Sequence, residues 1–382
     1  MSFVVGIDAS RTRSGGGKAH LIGVLSALDP LKHSIRHVHV WAYSSLLDSI
    51  PDKSWLVKHK PPTLEGSLLN QLIWQANCLS KEVKKAQCDI LFTADASTLC
   101  FFKPMVVFSQ DLLSYEPGVM KLFGYGYSRF RLLAILYLQN FAFRRAQGVI
   151  FLTRYAAKLI QQSSGLLTNF VYIPHGVDRI FQGISPKYPW PAIGERPIRC
   201  LYISNAAPYK HQWHVVKAIE ILRKNGHDLV LELVGGSSGN VHKRLEKQIA
   251  KSDPEHTFIS QKDFVPQNTL PKFLTQADLF IFASSCETFG ITLLEAMTVG
   301  MPIACSNRSS LPETLQNGGV YFNPENPNDI AKAVEKLVND ADKRQWYTAR
   351  AKELSRQYSW DRCARETFSF IVKTIMHSRK ST

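Results

Sequence analysis

Several things are scarce in this 382-residue chain, and each absence excludes a class. No apolar run approaches the roughly 18 uninterrupted residues of a membrane-spanning helix. No basic-then-apolar leader precedes the strand-like Phe3–Ile7, so a secreted precursor is not expected. The seven cysteines are odd in number and scattered, without the close spacing of a zinc site or redox motif, which points to reduced thiols in a cytoplasmic protein. There is no internal repeat, no low-complexity tract and no recognisable nucleic-acid-binding motif. The last point matters because the net charge is +15 and calls for some anionic partner.

The charge is uneven. Acidic residues are missing between Glu116 and Asp178, while Lys121, Arg129, Arg131, Arg144, Arg145, Arg154 and Lys158 all fall there. Within that stretch Arg129–Arg145 reads as an apolar helix bracketed by arginines. Two readings stay open. The plainer is a buried core helix with solvated ends; the other is peripheral docking of segment 119–158 on anionic membrane headgroups.

Short apolar strands alternate with amphipathic helices, which predicts parallel sheets with helices on both faces. Six strands are expected in the first half, near residues 4–9, 38–43, 90–93, 105–108, 148–152 and 170–173. Six more follow near 200–204, 229–234, 257–260, 279–282, 302–305 and 320–322. Between the two series, Pro186, Pro189, Pro191 and Pro197 are too dense for a helix or central strand. The expected organisation is an N-terminal Rossmann-like domain over 1–185, a linker at 186–197, a second Rossmann-like domain over 198–358, and a C-terminal helix over 359–382 crossing back to the first domain. Ligands of such sheets bind beyond the carboxyl ends of the strands.

The chemistry concentrates in Leu279–Gly300, an apolar strand, a polar loop and a helix that stops at Gly300. Backbone amides at a helix start favour an anion. Glu295 has only Ile291, Thr292, Thr298 and Val299 at helical spacing, so no cation of its own helix reaches it. A carboxylate on so apolar a helix must find donors elsewhere, ligand hydroxyls among them. Glu287 lies in the loop that opens the helix.

Glu287-Thr-Phe-Gly-Ile-Thr-Leu-Leu-Glu-Ala-Met297 resembles the paired-glutamate signature of the family 4 retaining glycosyltransferases. Further matches follow at Phe264-Val-Pro266, Gly300-Met-Pro302, Leu311-Pro-Glu313, Gly319–Pro324 and Tyr358-Ser-Trp360. The similarity is close from Ile173 to Trp360 and loose before that, and the chain resembles bacterial surface-polysaccharide hexosyl- and mannosyltransferases. It implies a GT-B fold, two Rossmann-like doubly wound α/β domains facing a cleft. It also implies transfer of a hexose, mannose or glucose, from a nucleotide diphosphate sugar to a hydroxyl of a glycan or lipid-linked acceptor. No metal and no separate cofactor are required. By this resemblance Glu295 holds the ribose hydroxyls, Glu287 the hydroxyls of the transferred sugar, and the amides of Phe289, Gly290 and Ile291 the sugar and diphosphate.

Lys210, after the strand at 200–204, resembles the lysine that neutralises the donor diphosphate. The glycine-rich Arg11–Lys18 is no Walker loop; it resembles the loop that meets the donor phosphates, with Gly15 and Gly16 as the contacts. This chain departs from the family pattern at three points. Ser204 stands where an arginine is common, Gln110 and Asp111 where many relatives have a histidine, and His175 replaces an asparagine in Ile173–Asp178. Asp111 is carried as an acceptor-side catalytic residue, and His175 as a shaping residue of its turn. A sugar-nucleotide epimerase of the same fold, or a noncatalytic sugar-nucleotide-binding module, are the alternatives.

Overall fold

The computed structural model describes residues 2–13, 15–236 and 238–380. They divide into two compact units, one of Met1–Met120, Gly124–Gly176 and Tyr358–Thr382, the other of Lys121–Phe123 and Val177–Gln357.

The first unit is a parallel seven-stranded sheet. Its strands are β1 (Phe3–Asp8), β2 (Ile35–Trp41), β3 (Leu56–His59), β4 (Ile90–Thr93), β5 (Met105–Ser109), β6 (Gly148–Phe151) and β7 (Phe170–Tyr172), in the order β3-β2-β1-β4-β5-β6-β7. β1, β4, β5 and β6 are buried along their whole length, as their near-continuous Val/Ile/Phe content requires of strands covered on both faces. Helices α1 (Gly15–Ala27), α2 (Ser44–Leu47), α3 (Leu68–Asn77), α4 (Leu79–Lys85), α5 (Tyr127–Arg145) and α6 (Arg154–Ser164) connect them. β3 and the helices over 68–85 escape the sequence pattern: β3 is a short, half-buried edge strand whose Leu-Val-Lys-His has no alternation to read.

The second unit repeats the plan with β8 (Ile198–Ile203), β9 (Leu229–Val234), β10 (Ile259–Lys262), β11 (Leu279–Phe282), β12 (Ile303–Ser306) and β13 (Val320–Phe322). The order is β10-β9-β8-β11-β12-β13, all parallel. Its helices are α7 (Gln212–Lys224), α8 (Gly239–Ser252), α9 (Leu270–Gln276), α10 (Ile291–Val299), α11 (Leu311–Leu315), α12 (Pro327–Asn339) and α13 (Ala341–Ser355). Asp340 accepts from the Lys343 N–H at 2.9 Å and so caps α13.

Two expectations change. The units divide at Gly176/Val177, ahead of the proline-rich 186–197, which packs in the second unit instead of linking. There the Lys187 N–H donates to the Thr275 carbonyl at 2.7 Å, and Arg196 holds Asp278 through two bonds of 2.6 and 2.8 Å. Proline density excludes regular structure but not an extended segment fixed by its neighbours. Helix α5 also departs from the buried-core reading. Phe130 and Tyr137 are 71% and 72% exposed, whereas Gln139 and Asn140 are buried.

The last helix, α14 (Trp360–Lys380), belongs to the first unit and packs on α1. The approach is close: a Cβ on Gly23 would lie 2.3 Å from the Trp360 ring, and one on Gly176 would lie 2.2 Å from the Trp360 backbone nitrogen. A side chain can turn away but backbone cannot. Gly176→Ala is therefore expected to destabilise the first unit by more than about 3 kcal/mol, beyond the usual range for a point mutation. Chemical denaturation of the purified variant measures it, and a loss under about 1 kcal/mol would contradict the packing.

Candidate functional site

In each sheet the strand order reverses next to the first strand of the series, between β1 and β4 and between β8 and β11. Loops leaving such a switch point open a crevice at the carboxyl ends of the strands. In the second unit those loops are 204–211 and 283–290, which carry Ser204, Lys210, Glu287, Phe289 and Gly290.

The two loops are stitched together. The Ser285 N–H donates to the Tyr209 carbonyl at 2.8 Å, and the Ser285 hydroxyl lies 2.8 Å from His211 Nε2. The Tyr202 hydroxyl donates to the Lys210 carbonyl at 2.6 Å, and Lys210 forms an ion pair with Glu287. Lys210 ends a short 3-10 turn, and His211 takes a left-handed φ of 47° before α7 begins. Burial and the nearby positive charges of Arg244 and Arg308 hold the His211 imidazole down at about 4, so it is neutral at physiological pH. His211 is thus a positioning residue that sequence reading passed over. Its only sequence signal is a histidine directly after the lysine.

Glu287 is fixed from the other side as well. Its N–H donates to Ser309 Oγ at 3.0 Å, and its carbonyl accepts from Ser309 and Ser310 at 2.9 and 2.7 Å. Thr314 Oγ1 donates to the Phe289 carbonyl at 2.8 Å. Gly290 closes the loop with φ 89°, and Leu311 stands 3.0 Å from where a Cβ would be, which explains glycine on both counts. α10 then starts without a side-chain cap. Its first turn of N–H groups, including that of Ile291, has no intrahelical acceptor, as helix geometry dictates.

Glu295 sits one turn further along α10 and is 2% exposed. Oε1 accepts from Gln267 Nε2 at 3.1 Å, while Oε2 is buried with no partner. Burial pushes the carboxyl up to about 8, with Asp178 adding to the rise and Gln267 opposing it. A carboxylate oxygen left unpaired in the interior is costly unless a donor arrives. Ser204, at the position expected to hold an arginine, does structural work: its carbonyl and hydroxyl accept from Gln212 Nε2 at 2.9 and 3.2 Å.

The second unit therefore brings together Lys210, Glu287, Phe289, Gly290, Ile291 and Glu295. Gly15, Gly16 and Asp111 belong to the first unit, by its own switch point. Gly15 has φ 62° and open space where a Cβ would stand. Ser14, in the same loop, lies outside the described residues. The close approach falls at Gly17, where a Cβ would meet Gln110 Oε1 at 2.5 Å, and Gln110 Nε2 donates to the Ala94 carbonyl at 2.7 Å. Gln110 thus spans the start of α1 and the loop after β4. Asp111 accepts from the Leu113 N–H at 2.9 Å, and burial raises its pKa. His175 is buried with its Nδ1 3.0 Å from that of His20, and burial lowers it to about 3. It is a neutral core residue of the first unit. Among the described residues no three His, Cys, Asp or Glu side chains form a group that could hold a metal ion.

Residues 190–354 match the family model described as glycosyl transferases group 1. The O-antigen chain mannosyltransferase B of Escherichia coli is 28% identical over 172 residues, 44% of this chain and 44% of the relative. The amylovoran biosynthesis glycosyltransferase of Erwinia amylovora is 27% identical over 128 residues, 32% of this chain and 31% of the relative. The chain thus spans less than half the length of these curated relatives. Two solved structures extend over the whole chain at lower identity. Sucrose-phosphate synthase from Thermosynechococcus elongatus superposes with a TM-score of 0.80 at 16% identity, covering 98% of this chain and 100% of its own. The Anabaena HepE protein in complex with UDP and glucose gives 0.68 at 18% identity, with 100% of both chains covered. Two parallel-sheet units with these strand orders and these superpositions have one name: the chain has the GT-B fold, built of two Rossmann-like α/β domains.

Proposed function

We propose that the chain is a retaining glycosyltransferase that moves a hexose, mannose or glucose, from a nucleotide diphosphate sugar to a hydroxyl of a glycan or lipid-linked acceptor. One observation carries the reading: the buried, half-satisfied Glu295 carboxylate on the helix whose amino end closes the Lys210–Glu287 loops. A ribose offers two hydroxyl donors to the empty Oε2, and the diphosphate offers its charge to the α10 amides and Lys210. The Escherichia coli relatives named as mannosyltransferases and the Anabaena protein bound to UDP and glucose are consistent with such a donor.

In this reading Lys210 is shared between Glu287 and the diphosphate. As the glycosidic bond breaks, charge grows on the leaving phosphate, and a cation already held in place stabilises it without reorganisation. Glu287 orients the sugar hydroxyls. The departing diphosphate takes the acceptor's proton on the face it leaves, which retains configuration without a protein nucleophile. Asp111 would lie on the acceptor side, with Gly15 and Gly16 meeting the donor phosphates.

Proton magnetic resonance of GDP-mannose and UDP-glucose incubated with the protein tests this. The expected result is nucleoside diphosphate release, by slow hydrolysis without an acceptor, with the first-formed free hexose keeping the donor's anomeric configuration. Inversion at the anomeric carbon would overturn retention. An epimerised sugar, or no binding and no turnover of either donor, would overturn the transferase reading.

A further inference from the structure

Helix α5 is apolar on both of its sides, with Leu132, Ala142 and Phe143 buried and a second apolar set turned outward. The buried side also holds Gln139 and Asn140, whose amides donate to Ser97 Oγ at 3.2 Å and Ser163 Oγ at 2.9 Å. Its outward side carries Phe130, Leu133, Tyr137 and Phe141, spaced three and four residues apart along one face. An outward set of this size departs from the ordinary pattern, and a large exposed apolar patch marks an interaction surface.

α3 is similar, with Trp74 and two glutamines inward. Gln71 and Gln75 are buried there, while Leu69 and Ile73 point out, 65% and 50% exposed. Both helices are tied to one loop. Gln75 Oε1 accepts from the Leu99 N–H at 3.0 Å, and Gln139 reaches Ser97 of the same loop. That loop ends in Phe101, itself 62% exposed, whose ring meets Phe141 edge-on at 6.2 Å. The exposed sets of the loop and α5 therefore lie beside one another in the first unit, and α3 is tied to the same loop.

We propose that this face docks on an anionic lipid bilayer. The charge around it selects that occupant. No acidic residue falls in 66–81 or 117–177, while Arg129 and Arg131 border the outward face of α5 and Arg145 lies over the Phe101 and Phe141 rings at 4.3 Å. Tyr125, with Arg129 over its ring at 4.6 Å, and Tyr127 supply aromatics with a polar end, the type that settles at headgroup level. A second copy of the chain is disfavoured on the same ground, since a symmetric contact would bring like charges face to face. Among the described residues no helix is long and apolar enough to cross a membrane, so the contact lies in the interface plane.

Flotation of the full chain with vesicles tests the proposal. Co-flotation is expected with vesicles containing phosphatidylglycerol and not with phosphatidylcholine alone, and it should weaken as salt is raised. Reversing two charges, Arg129→Glu with Arg131→Glu, should lower vesicle affinity at least about 25-fold, at about fivefold for each basic residue lost. Phe130→Ser with Tyr137→Ser should lower it at least about tenfold by removing buried apolar area. The double variants alter exposed side chains and the half-buried Arg129, so unchanged thermal melts and unchanged UDP-glucose and GDP-mannose thermal shifts separate this surface from the donor site. Three results would overturn it. They are no flotation with anionic vesicles, flotation that survives both double variants, or a lipid-indifferent dimer dispersed by Phe130→Ser with Tyr137→Ser.

Discussion

Glu295→Ala is expected to raise the dissociation constant of a nucleotide sugar about 100-fold, through two lost hydroxyl bonds to a charged acceptor at about 1.5 kcal/mol each. Isothermal titration measures it. The effect should carry a pH signature that an ordinary contact lacks. Without ligand the carboxyl titrates near 8, against an ordinary value of 4.5, because it is buried. Two donated hydroxyl bonds favour the ionised form, so binding releases a proton below that pH. Affinity should therefore strengthen about tenfold per pH unit up to about 8 and level off above it. Glu295→Gln should abolish that slope.

The stability of the unliganded protein should move the opposite way. Between about 4.5 and about 8 the folded state holds a proton that the unfolded state has released. The stability from this group is thus full at low pH and declines as pH rises through that window. Glutamine keeps the shape and carries no charge, so Glu295→Gln should melt higher than wild type at pH above about 8, by a few kcal/mol at most. Simultaneous gain of stability and loss of pH-dependent affinity is what a binding carboxylate held at the expense of folding would show. A variant that binds as wild type at every pH would remove Glu295 from the donor site.

Lys210→Ala is the second large effect expected, and it should appear in turnover more than in binding. The ammonium is paired with Glu287 before any donor arrives, with side chains only 14% and 15% exposed. A preplaced cation acts on charge that develops in the transition state, and losing one such group lowers kcat by about 100- to 1,000-fold. Its removal also strands the Glu287 carboxylate in a half-buried loop, at about 1–3 kcal/mol of stability. For a unit of this size that is a melting shift of several degrees, about 2–4 °C per kcal/mol. Comparing Lys210→Ala, Glu287→Ala and the double variant separates the two parts. Coupled residues should lose less together than the sum of the single changes. Turnover within about threefold of wild type in Lys210→Ala would exclude it from the chemistry.

His211 and Ser285 explain why Lys210 is so well placed. The strand–loop–helix segments that carry Lys210 and Glu287 are 77 residues apart. They meet because β8 and β11 are neighbours in the sheet. The bonds between Ser285, Tyr209 and His211 then fix the distance across the loops. A charged pair on two independent flexible loops would not be preorganised in this way.

The amino-acid sequence by itself determined the α/β alternation, the six strands of the second sheet, and the strand–loop–helix run over 279–300. Local periodicity, caps and glycine stops encode these, and they need no knowledge of what lies opposite. Even the burial of Glu295 followed from the apolar residues one helical turn to either side. Four matters were decided only in three dimensions. The unit boundary falls at Gly176 because Trp360 packs on its backbone, a contact across 184 residues that no local density of prolines reports. The tight glycine of the first loop is Gly17 rather than its neighbours because Gln110 comes in from another strand. The second oxygen of Glu295 is left without a partner because Gln267 satisfies only the first. And of the two apolar sides of α5, the one with Leu132, Ala142 and Phe143 is inward, where Gln139 and Asn140 find partners on Ser97 and Ser163. Periodicity shows which residues share a face of a helix; which face meets the protein is set by what the rest of the chain brings to it.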